Sequence, residues 1–472
     1  MSTYPMISIE LATEIALSHA SVLDHETVSL QEARGRVLAA NVLAPDNHPA
    51  FRASVKDGYA VIASDGAGEF EVVGESRAGE KDPITVTSGK VAYITTGAPV
   101  PEGADSVIQI EDVIRLPAPA ASSTDGGAAP LPAAPQVRIL KAAKQGQDIR
   151  AIGSDIAEGQ VVLAAGETVG TAEVGLLATV GAVSLSVHRR PRVAVLSTGD
   201  EVVEPSVQHL APGQVRDSNR AMLLAAAAQA GAVVTDLGVA RDQMGQLEGC
   251  LDRAIAQGMD ILITSGGVSM GDRDLLKPLL ERRGVIHFGR VLMKPGKPLT
   301  FATLEVGDSG RKMLVFGLPG NPVSSFVCFQ LVAVPCLHKM SGWKQTGLRR
   351  VHARLASSLR LDPERPEYHR ATLAWCSKNP AAPTSSSDPG SADASPALPA
   401  AAGETGFGFE LWALSTGNQI SSRLLSARSA NAILEIPRAA GTLAAGSVVS
   451  ALLIDDLQMM PILGPVPATL GF

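Results

Sequence analysis

The chain has 472 residues, of which 45% are hydrophobic and 18% are charged, and its formal net charge is −7. This length exceeds one typical domain, so we expect roughly two to four compact units with buried cores. Proteins that coat nucleic acids or bind anionic membranes need clustered Lys and Arg residues. We therefore predict no nucleic-acid partner, whereas a small anionic ligand needs only a local basic pocket.

The four cysteines are too dispersed for a disulfide framework, and no two form a CxxC pair. We predict reduced thiols. The N-terminus lacks the basic region and apolar core of a secretory signal, and no stretch reaches the ~20 apolar residues of a membrane span. Together these features predict a cytoplasmic protein of the cytosol without a membrane span.

The chain begins with helical patterns and then turns to strands. Ser8 is a predicted N-cap, and 29–32 (SLQE) has the spacing of a capping box that opens a second helix ending near Gly35. From residue 51 to about 185, short apolar runs separated by Gly, Pro and Asp are typical of a small β unit. Residues 351–454 have strand-like runs without a long helix, which predicts a C-terminal β-barrel or sandwich.

Two segments, 116–135 and 379–404, are rich in Ala, Pro, Ser and Gly. They contain almost no large apolar residues, so they cannot offset the entropy lost on ordering. Strand-like sequence flanks both segments. We therefore predict flexible loops inserted within folded units.

Residues 192–340 alternate short buried strands with helices. This alternation predicts a parallel, doubly wound α/β domain, which binds ligands at the carboxyl ends of its strands. The predicted strands are 193–196, 233–237, 261–264 and 313–316, and the predicted helices are 218–230, 243–257, 274–283 and 322–336.

The segment 264–274 (TSGGVSMGDRD) leaves one predicted strand and enters a helix. Its glycines let backbone N–H groups approach an anion, and a helix start favours negative charge. Asp272 and Asp274 stand where a phosphate-bound Mg²⁺ needs oxygen ligands. The alternative interpretation is a tight turn with an acidic N-cap.

Two further loops offer donors to anions. Lys294 and Lys297 flank a glycine in a loop that two prolines stiffen, which suits a compact oxyanion but also fits a solvated turn. In 317–325 (GLPGNPVSS), Pro322 is a predicted first helical residue, and the N–H groups of 323–325 form a second predicted anion seat. An ordinary capped helix is the alternative there.

Carboxylates also follow the predicted strands. Glu201, in 197–201 (STGDE), would join Asp242 and Asp274 in a Mg²⁺ cluster, unless the three are separate turn residues. In the β unit, the spacing of 54–59 and 95–99 does not connect them with the α/β domain. The residues alone thus predict Mg²⁺-dependent handling of a phosphorylated or nucleotide-like ligand, together with a small oxyanion.

The ordered set of motifs resembles the molybdopterin molybdenumtransferase (molybdenum insertase) family over nearly the whole chain. It is most similar to the eukaryotic branch, represented by the E domains of gephyrin and of the plant molybdenum insertase, because Lys56 precedes Asp57 where bacterial members usually carry Met. The matching segments are 54–60, 92–112, 147–156, 197–201, 214–219, 265–274, 294–298, 317–323, 365–371 and 415–431.

This resemblance implies a multidomain fold of class α/β plus β, and a homodimer. An extended N-terminal helical and linker domain would comprise 1–50 and 141–188, with a β domain, 51–140, inserted into it. A molybdopterin-binding α/β domain would span 189–345, and a β-barrel 346–472. The active cleft is expected between the α/β domain of one subunit and the β domain of the other.

The family reaction converts adenylylated molybdopterin and molybdate into molybdenum cofactor and AMP, and it requires Mg²⁺. Matching positions imply three groups of site residues. The catalytic group is Asp57, Glu201, Asp242 and Asp274, of which the last three also bind the metal. The cofactor-binding group is Thr96, Ser265, Gly266, Gly267, Ser269, Gly271, Pro319, Gly320 and Asn321. The molybdate group is Lys294, Lys297, Pro298, Ser324, Arg370 and Ser415.

Two other functions stay open. A molybdopterin adenylyltransferase-like enzyme would share the α/β domain, although the two β domains argue against it. A gephyrin-like scaffold would bind a receptor or cytoskeletal partner. Because the sequence lacks a second, adenylylating domain, we expect a separate molybdopterin adenylyltransferase to supply the substrate, unless the sequence is an excised piece.

Overall fold

The computed structural model describes residues 4–79, 83–117, 134–267, 275–307, 310–377, 409–457 and 462–463. The chain forms two compact units, one of residues 1–26, 35–39 and 186–472 and one of residues 27–34 and 40–185. The limits of four domains stay a prediction. The predicted flexibility of the two Ala/Pro-rich segments falls mostly outside the described residues, as do Ser269, Gly271, Asp272 and Asp274.

The unit that contains 40–185 is mostly β, as predicted. Its largest sheet has six strands, and both faces of the strand Gly58–Val61 are buried, because Tyr59 and Val61 pack in one apolar cluster and Ala60 in another. The six strands follow in the order Ser106–Gln109, Gly58–Val61, Lys90–Ile94, Gly68–Ser76, Gln136–Ile139 and Val113–Arg115.

Short pairings complete this unit. Val42–Leu43 pairs with Val161–Leu163, and Ala53–Ser54 pairs with Ile149–Arg150, all antiparallel. The helix Thr171–Thr179 follows. The strands Val113–Arg115 and Gln136–Ile139, on either side of the first Ala/Pro-rich segment, also pair antiparallel, which places that segment within a folded unit.

Predicted helix starts have two different outcomes. Ser8 caps the helix Ile9–His19, and its hydroxyl accepts from the N–H of Leu11 at 3.2 Å. The capping box at Ser29 also forms, since the Glu32 carboxylate accepts from the Ser29 N–H and hydroxyl. It opens only the 3₁₀ turn Leu30–Glu32, so the predicted second helix is wrong. The preceding residues His25–Ser29 are a strand, and the turn buries none of its three residues, so no packing extends it into a helix.

The α/β sheet has six strands in the order Val233–Ala240, Arg192–Thr198, Ile261–Ser265, Arg311–Leu318, Thr300–Val306 and Val285–Phe288. The first four are parallel, as predicted. The last two strands add antiparallel pairings to this predicted parallel core. Only residues 307–310 separate Thr300–Val306 from the next strand, which is too short for the crossover that a parallel pair needs.

Helices cover both faces of this sheet, which confirms the doubly wound arrangement. Alternate residues of Arg192–Thr198 face opposite cores, with Val193 and Val195 in one cluster and Ala194 and Leu196 in the other. The first cluster includes the helices Ile9–His19, Ser218–Gln229 and the segment from Pro322 to Met340, and the second includes Met244–Ala256 and Leu276–Arg283. Burying one such Val or Leu side chain contributes about 1.5–3 kcal/mol.

The helical segment Pro322–Met340 is 19 residues long, and its mean hydropathy of 1.4 would suit a membrane span. It is instead 83% buried inside the protein, so it is a core helix. It consists of Pro322–Cys328, the π-helical turn Phe329–Ala333 and Val334–Met340.

The C-terminal sheet closes into the predicted barrel. Its strands follow in the order Phe409–Ser415, Arg350–Leu355, Val448–Leu453, Ala432–Ile436 and Glu367–Ser377, and the last pairs back with the first. These two closing strands flank the second Ala/Pro-rich segment. Two short pairings are also present: Leu359–Arg360 pairs with Thr442–Leu443, and Ile462–Leu463 pairs in parallel with the end of the strand Glu367–Ser377. All four cysteines are buried thiols.

Candidate functional site

A cavity of about 570 Å³ lies at the carboxyl ends of the adjacent parallel strands Arg192–Thr198, Ile261–Ser265 and Arg311–Leu318. The loops after these strands carry three of the predicted motifs, so the predicted convergence at one sheet edge is confirmed. The predicted residues that line the cavity are Glu201, Asp242, Ser265, Gly266, Gly267, Pro298, Pro319, Gly320 and Asn321.

Two glycines in these loops are required by close packing. Gly266 has a φ of 90°, and a Cβ there would lie 2.6 Å from the carbonyl oxygen of Thr198. Gly199 has a φ of 140°, and a Cβ there would lie 2.6 Å from Oε2 of Glu201. A larger residue at either position would displace a neighbouring loop or the Glu201 carboxylate.

Asn219 joins two of the glycine loops. Its Nδ2 donates to Ser265 Oγ at 2.7 Å and to the carbonyl oxygen of Gly320 at 2.8 Å. The residue lines the cavity and is 8% exposed. Sequence reasoning did not select it, because an Asn at a helix start is an ordinary cap, and only its place in the 214–219 motif was a signal.

Asp217 and Arg220 form a buried ion pair beside the cavity. Asp217 accepts from the Arg220 N–H at 3.0 Å, from Arg220 Nε at 2.9 Å and from Ser197 Oγ at 2.9 Å. Arg220 also pairs with Glu204 and Asp236. Burial disfavours its charge, but these three carboxylates outweigh burial and raise the pKa of Arg220. The pair therefore fixes the strand end at Ser197 against the helix that carries Asn219.

Glu201 and Asp242 are two carboxylates on the wall of one cavity. Their hard oxygens are the ligand type that Mg²⁺ prefers, and a bound phosphate supplies further oxygens, so they fit a phosphate-bound Mg²⁺. Within the described part of the chain, no three His, Cys, Asp or Glu side chains are grouped as a metal site. The predicted third member, Asp274, lies outside it.

Two of the three N–H groups predicted as a second anion seat, at 323–325, are already engaged within the protein. The N–H of Val323 donates to the carbonyl of Ser421 at 3.1 Å, and the N–H of Ser325 donates to Asn321 within the helix. Asn321 Nδ2 also donates to Ser421 Oγ at 3.1 Å. The C-terminal region thus covers this helix start, and Ser422 contributes to the cavity wall.

Arg370 is a fully buried cation with unsatisfied donors. It is 0% exposed, and its Nη2 donates to Ser426 Oγ at 3.0 Å. Its Nε and Nη1 have no hydrogen-bond partner. Burial lowers the pKa of Arg370 to about 10, against the opposing charge of Glu367. Such donors destabilise the protein unless an anion supplies acceptors.

Lys294 belongs to a chain of polar contacts. Its Nζ lies 2.9 Å from Glu367 Oε2 and 3.4 Å from Asp362 Oδ2. Burial disfavours the charge, but the hydrogen bonds and charges of these carboxylates raise the pKa of Lys294. The other Glu367 oxygen lies 2.9 Å from His369 Nδ1, and His369 Nε2 lies 2.8 Å from Ser415 Oγ. Lys294 is therefore already paired with acidic groups.

The predicted molybdate residues divide into groups. Pro298 lines the strand-end cavity. The other five predicted molybdate residues are not among the described residues that line it. His369 and Arg370 are consecutive in one strand, so their side chains point to opposite faces. Ser415 contacts His369, and Arg370 contacts Ser426. Ser324 is buried, and Lys297 is half-buried.

In the other unit, Asp57 and Thr96 form one local feature. The N–H and hydroxyl of Thr96 donate to Asp57 Oδ1 at 2.6 and 3.1 Å. A Cβ at Gly58 would lie 1.8 Å from the carbonyl oxygen of Ile108, so only glycine fits beside that strand. The structure thus joins the 54–59 and 95–99 motifs.

The fold and the cavity define a multidomain protein whose α/β domain has a cavity at glycine-rich strand ends. Three family models match: "MoeA N-terminal region (domain I and II)" at 7–181, "Probable molybdopterin binding domain" at 194–339, and "MoeA C-terminal region (domain IV)" at 407–454. The chain is 37% identical to the molybdopterin molybdenumtransferase of Haemophilus influenzae, over 68% of this chain and 74% of that protein. It belongs to the molybdopterin molybdenumtransferase family.

Further matches confirm the predicted resemblance and fold class. The chain is 35% identical to gephyrin of Dictyostelium discoideum, over 97% of this chain and 63% of gephyrin. It therefore spans less than two thirds of that relative. It also resembles the crystal structure of a molybdopterin biosynthesis moeA protein from Pyrococcus horikoshii, with 28% identity and a TM-score of 0.73 over 96% of this chain and 100% of that one.

Proposed function

We propose that this chain is a molybdenum insertase, which combines adenylylated molybdopterin with molybdate and releases molybdenum cofactor and AMP. The observation that carries the proposal is the strand-end cavity, because it lies in the domain that matches the molybdopterin binding model and has Glu201 and Asp242 on its wall. Relatives named molybdopterin molybdenumtransferase support the reaction class.

The phosphoanhydride of the substrate would lie along the glycine loops. Gly266, Gly267 and Gly320 leave room for phosphate oxygens, and Ser265 and Asn321 add polar side chains. Glu201 and Asp242 would hold Mg²⁺, with Asp274 as the predicted third ligand. A bound Mg²⁺ would supply positive charge next to the phosphate oxygens of the substrate.

Molybdate would bind where buried cationic donors lack acceptors. Arg370 offers two such nitrogens, and its planar guanidinium suits an oxyanion. Lys297 precedes Pro298, which lines the cavity, so the lysine loop reaches the phosphate region. The predicted molybdate group also includes Lys294, Ser324 and Ser415, of which Ser415 contacts His369 on the strand face opposite Arg370.

We further propose a homodimer in the cytosol, in which the Asp57–Thr96 feature of one subunit completes the cleft of the other. A separate molybdopterin adenylyltransferase would supply the substrate. The family resemblance supports both the homodimer and the separate adenylyltransferase.

Anaerobic incubation with adenylylated molybdopterin, Mg²⁺ and molybdate tests the function. We expect AMP release and reconstitution of a molybdenum apoenzyme. Lys297→Ala should weaken molybdate use, and Asp242→Asn should block AMP release, whereas Lys344→Ala, at an exposed lysine outside the site, should match wild type. Absence of both products would refute the proposal. AMP transfer from ATP to free molybdopterin would instead identify an adenylyltransferase, and a stable macromolecular partner without turnover would identify a scaffold.

A further inference from the structure

The loop of residues 416–427, which follows the strand Phe409–Ser415, holds both ends of Arg370. At the backbone end, Oε1 of Gln419 accepts from the Arg370 N–H at 2.8 Å, and Nε2 of Gln419 donates to the Arg370 carbonyl at 3.3 Å. At the side-chain end, Ser426 Oγ accepts from Arg370 Nη2 at 3.0 Å. One loop therefore sets both the backbone and the guanidinium of this buried cation.

Gln419 supplies a hydrogen bond that the barrel lacks at Arg370. A hydrogen-bonded antiparallel pair exchanges two backbone bonds, but the ladder between the two closing strands ends with Ala371 opposite Ser415. The next residue, Thr416, donates its N–H to the Arg370 carbonyl at 3.3 Å. The Arg370 N–H bonds to Gln419 Oε1 instead. The carboxamide thus takes the place of a backbone peptide at this position.

The partners of the Gln419 amide fix its orientation. Oε1 faces a donor, the Arg370 N–H. Nε2 faces acceptors, namely the Arg370 carbonyl, the Thr416 hydroxyl at 3.2 Å and the Gly417 carbonyl at 3.1 Å. A reversed amide would set a donor against a donor and an oxygen against oxygens. Both groups of a primary amide are therefore needed here, whereas a carboxylate only accepts.

The same loop reaches the strand-end cavity through a second anchor. The Ser421 carbonyl accepts from the Val323 N–H at 3.1 Å, and Ser421 Oγ accepts from Asn321 Nδ2 at 3.1 Å. Ser422 contributes to the cavity wall. This anchor does not involve Gln419, so a change at Gln419 can disturb Arg370 while the cavity wall stays in place.

We propose that Gln419 is a positioning residue for molybdate binding, which holds the Arg370 backbone so that the unsatisfied Nε and Nη1 keep the orientation that receives the oxyanion. This inference rests on the proposed molybdate site at Arg370. Donors that are already ordered lose little conformational freedom when the anion binds, so their positioning increases affinity. Gln419 acts through Arg370 and makes no contact with the anion in this account.

Isothermal titration calorimetry of the full chain with molybdate alone, and separately with AMP alone, tests the proposal. Gln419→Met keeps the length of the side chain but removes the amide. We expect its Kd for molybdate to rise about tenfold, as for one or two lost hydrogen bonds, and its Kd for AMP to stay within about twofold. In turnover, the KM for molybdate should rise by the same factor, with kcat near that of wild type.

Two further variants control the experiment. Gln345→Met makes the same substitution at an exposed glutamine outside both regions and should match wild type. Thr416→Val removes a hydroxyl that donates to the Arg370 carbonyl at 3.1 Å and accepts from Gln419. It should raise the Kd for molybdate about threefold. Because Thr416→Val keeps the glutamine, it also decides the question if Gln419→Met does not fold.

The outcomes separate this inference from the insertase proposal. A wild-type Kd for molybdate in a folded Gln419→Met, or in Thr416→Val if Gln419→Met does not fold, would overturn the inference and leave the insertase proposal standing. An equal loss of AMP and molybdate binding would also overturn it, because the glutamine would then merely support the fold of the whole loop. A wild-type chain that binds AMP but not molybdate would overturn the proposed molybdate site together with this inference.

Discussion

The strand-end cavity and the buried Arg370 region both offer groups to anions, but they differ in how their polar groups are satisfied. Around the cavity, Asn219, Asp217 and Arg220 have hydrogen-bond partners within the protein. In the barrel, two nitrogens of Arg370 have none. The comparison indicates that the cavity is preorganised without its ligand, whereas the Arg370 region gains stability when an anion binds.

Asp217→Ala should give the largest effect, because it leaves Arg220 a buried cation without its most buried partner. Breaking such a pair costs about 3–5 kcal/mol of unfolding free energy. Urea unfolding measures this loss, and titration with AMP should show loss of binding. Asp236→Ala removes an exposed partner of the same arginine and should cost about 1 kcal/mol or less. Equal losses in both variants would contradict a preorganising role for Asp217.

Gly266→Ala tests the close approach of the cavity loops. Gly266 and Gly213 both have positive φ values, 90° and 84°, but only Gly266 has backbone atoms where a Cβ would lie. We expect Gly213→Ala to cost about 1 kcal/mol for the backbone conformation alone. Gly266→Ala should also displace the loop and lower turnover about 100-fold. Similar turnover in the two alanine variants would show that the close approach of Gly266 to the Thr198 backbone is not needed for activity.

Arg370→Met tests whether the Arg370 region gains stability from an anion. Thermal unfolding with and without molybdate measures the effect. Without the anion, the variant should be at least as stable as wild type, because each unsatisfied buried donor costs about 1–3 kcal/mol. Molybdate at 100 times its Kd should stabilise wild type by about 2.7 kcal/mol and leave the variant unchanged. Arg365→Met, in the same segment, should retain the response. A variant that responds to molybdate like wild type would remove Arg370 from the site.

The smallest effect concerns a histidine pair at the antiparallel edge of the α/β sheet. The rings of His19 and His287 lie 3.9 Å apart, and burial, His19 and Lys312 lower the pKa of His287 to about 4. Between pH 6.5 and about 4, the unfolded state binds a proton that the folded state does not, so stability falls as pH falls. His287→Gln should show a shallower decline in acid titrations of stability. The control variant His352→Gln, at an exposed histidine of the C-terminal barrel, should show the wild-type decline. An unchanged slope in His287→Gln would exclude His287 as the cause.

The part of the site that sequence could predict is the part built from strand ends. Ser265 and Gly266 directly follow a buried strand, and parallel strands bring such ends to one edge. The contact of Val323 with Ser421 joins positions almost 100 residues apart and has no local pattern. Local signals also failed at Ser29, where the capping box forms but the turn buries none of its residues and is not extended into a helix. Tertiary contacts that form, or fail to form, between distant segments therefore account for these errors.

A crystal structure of the full chain with AMP and molybdate tests the division into two anion regions most directly. We predict the AMP phosphate against Ser265 and Gly266, and molybdate within hydrogen-bond distance of Nε or Nη1 of Arg370. Molybdate bound elsewhere, with both Arg370 nitrogens still lacking an acceptor, would contradict the proposed oxyanion site.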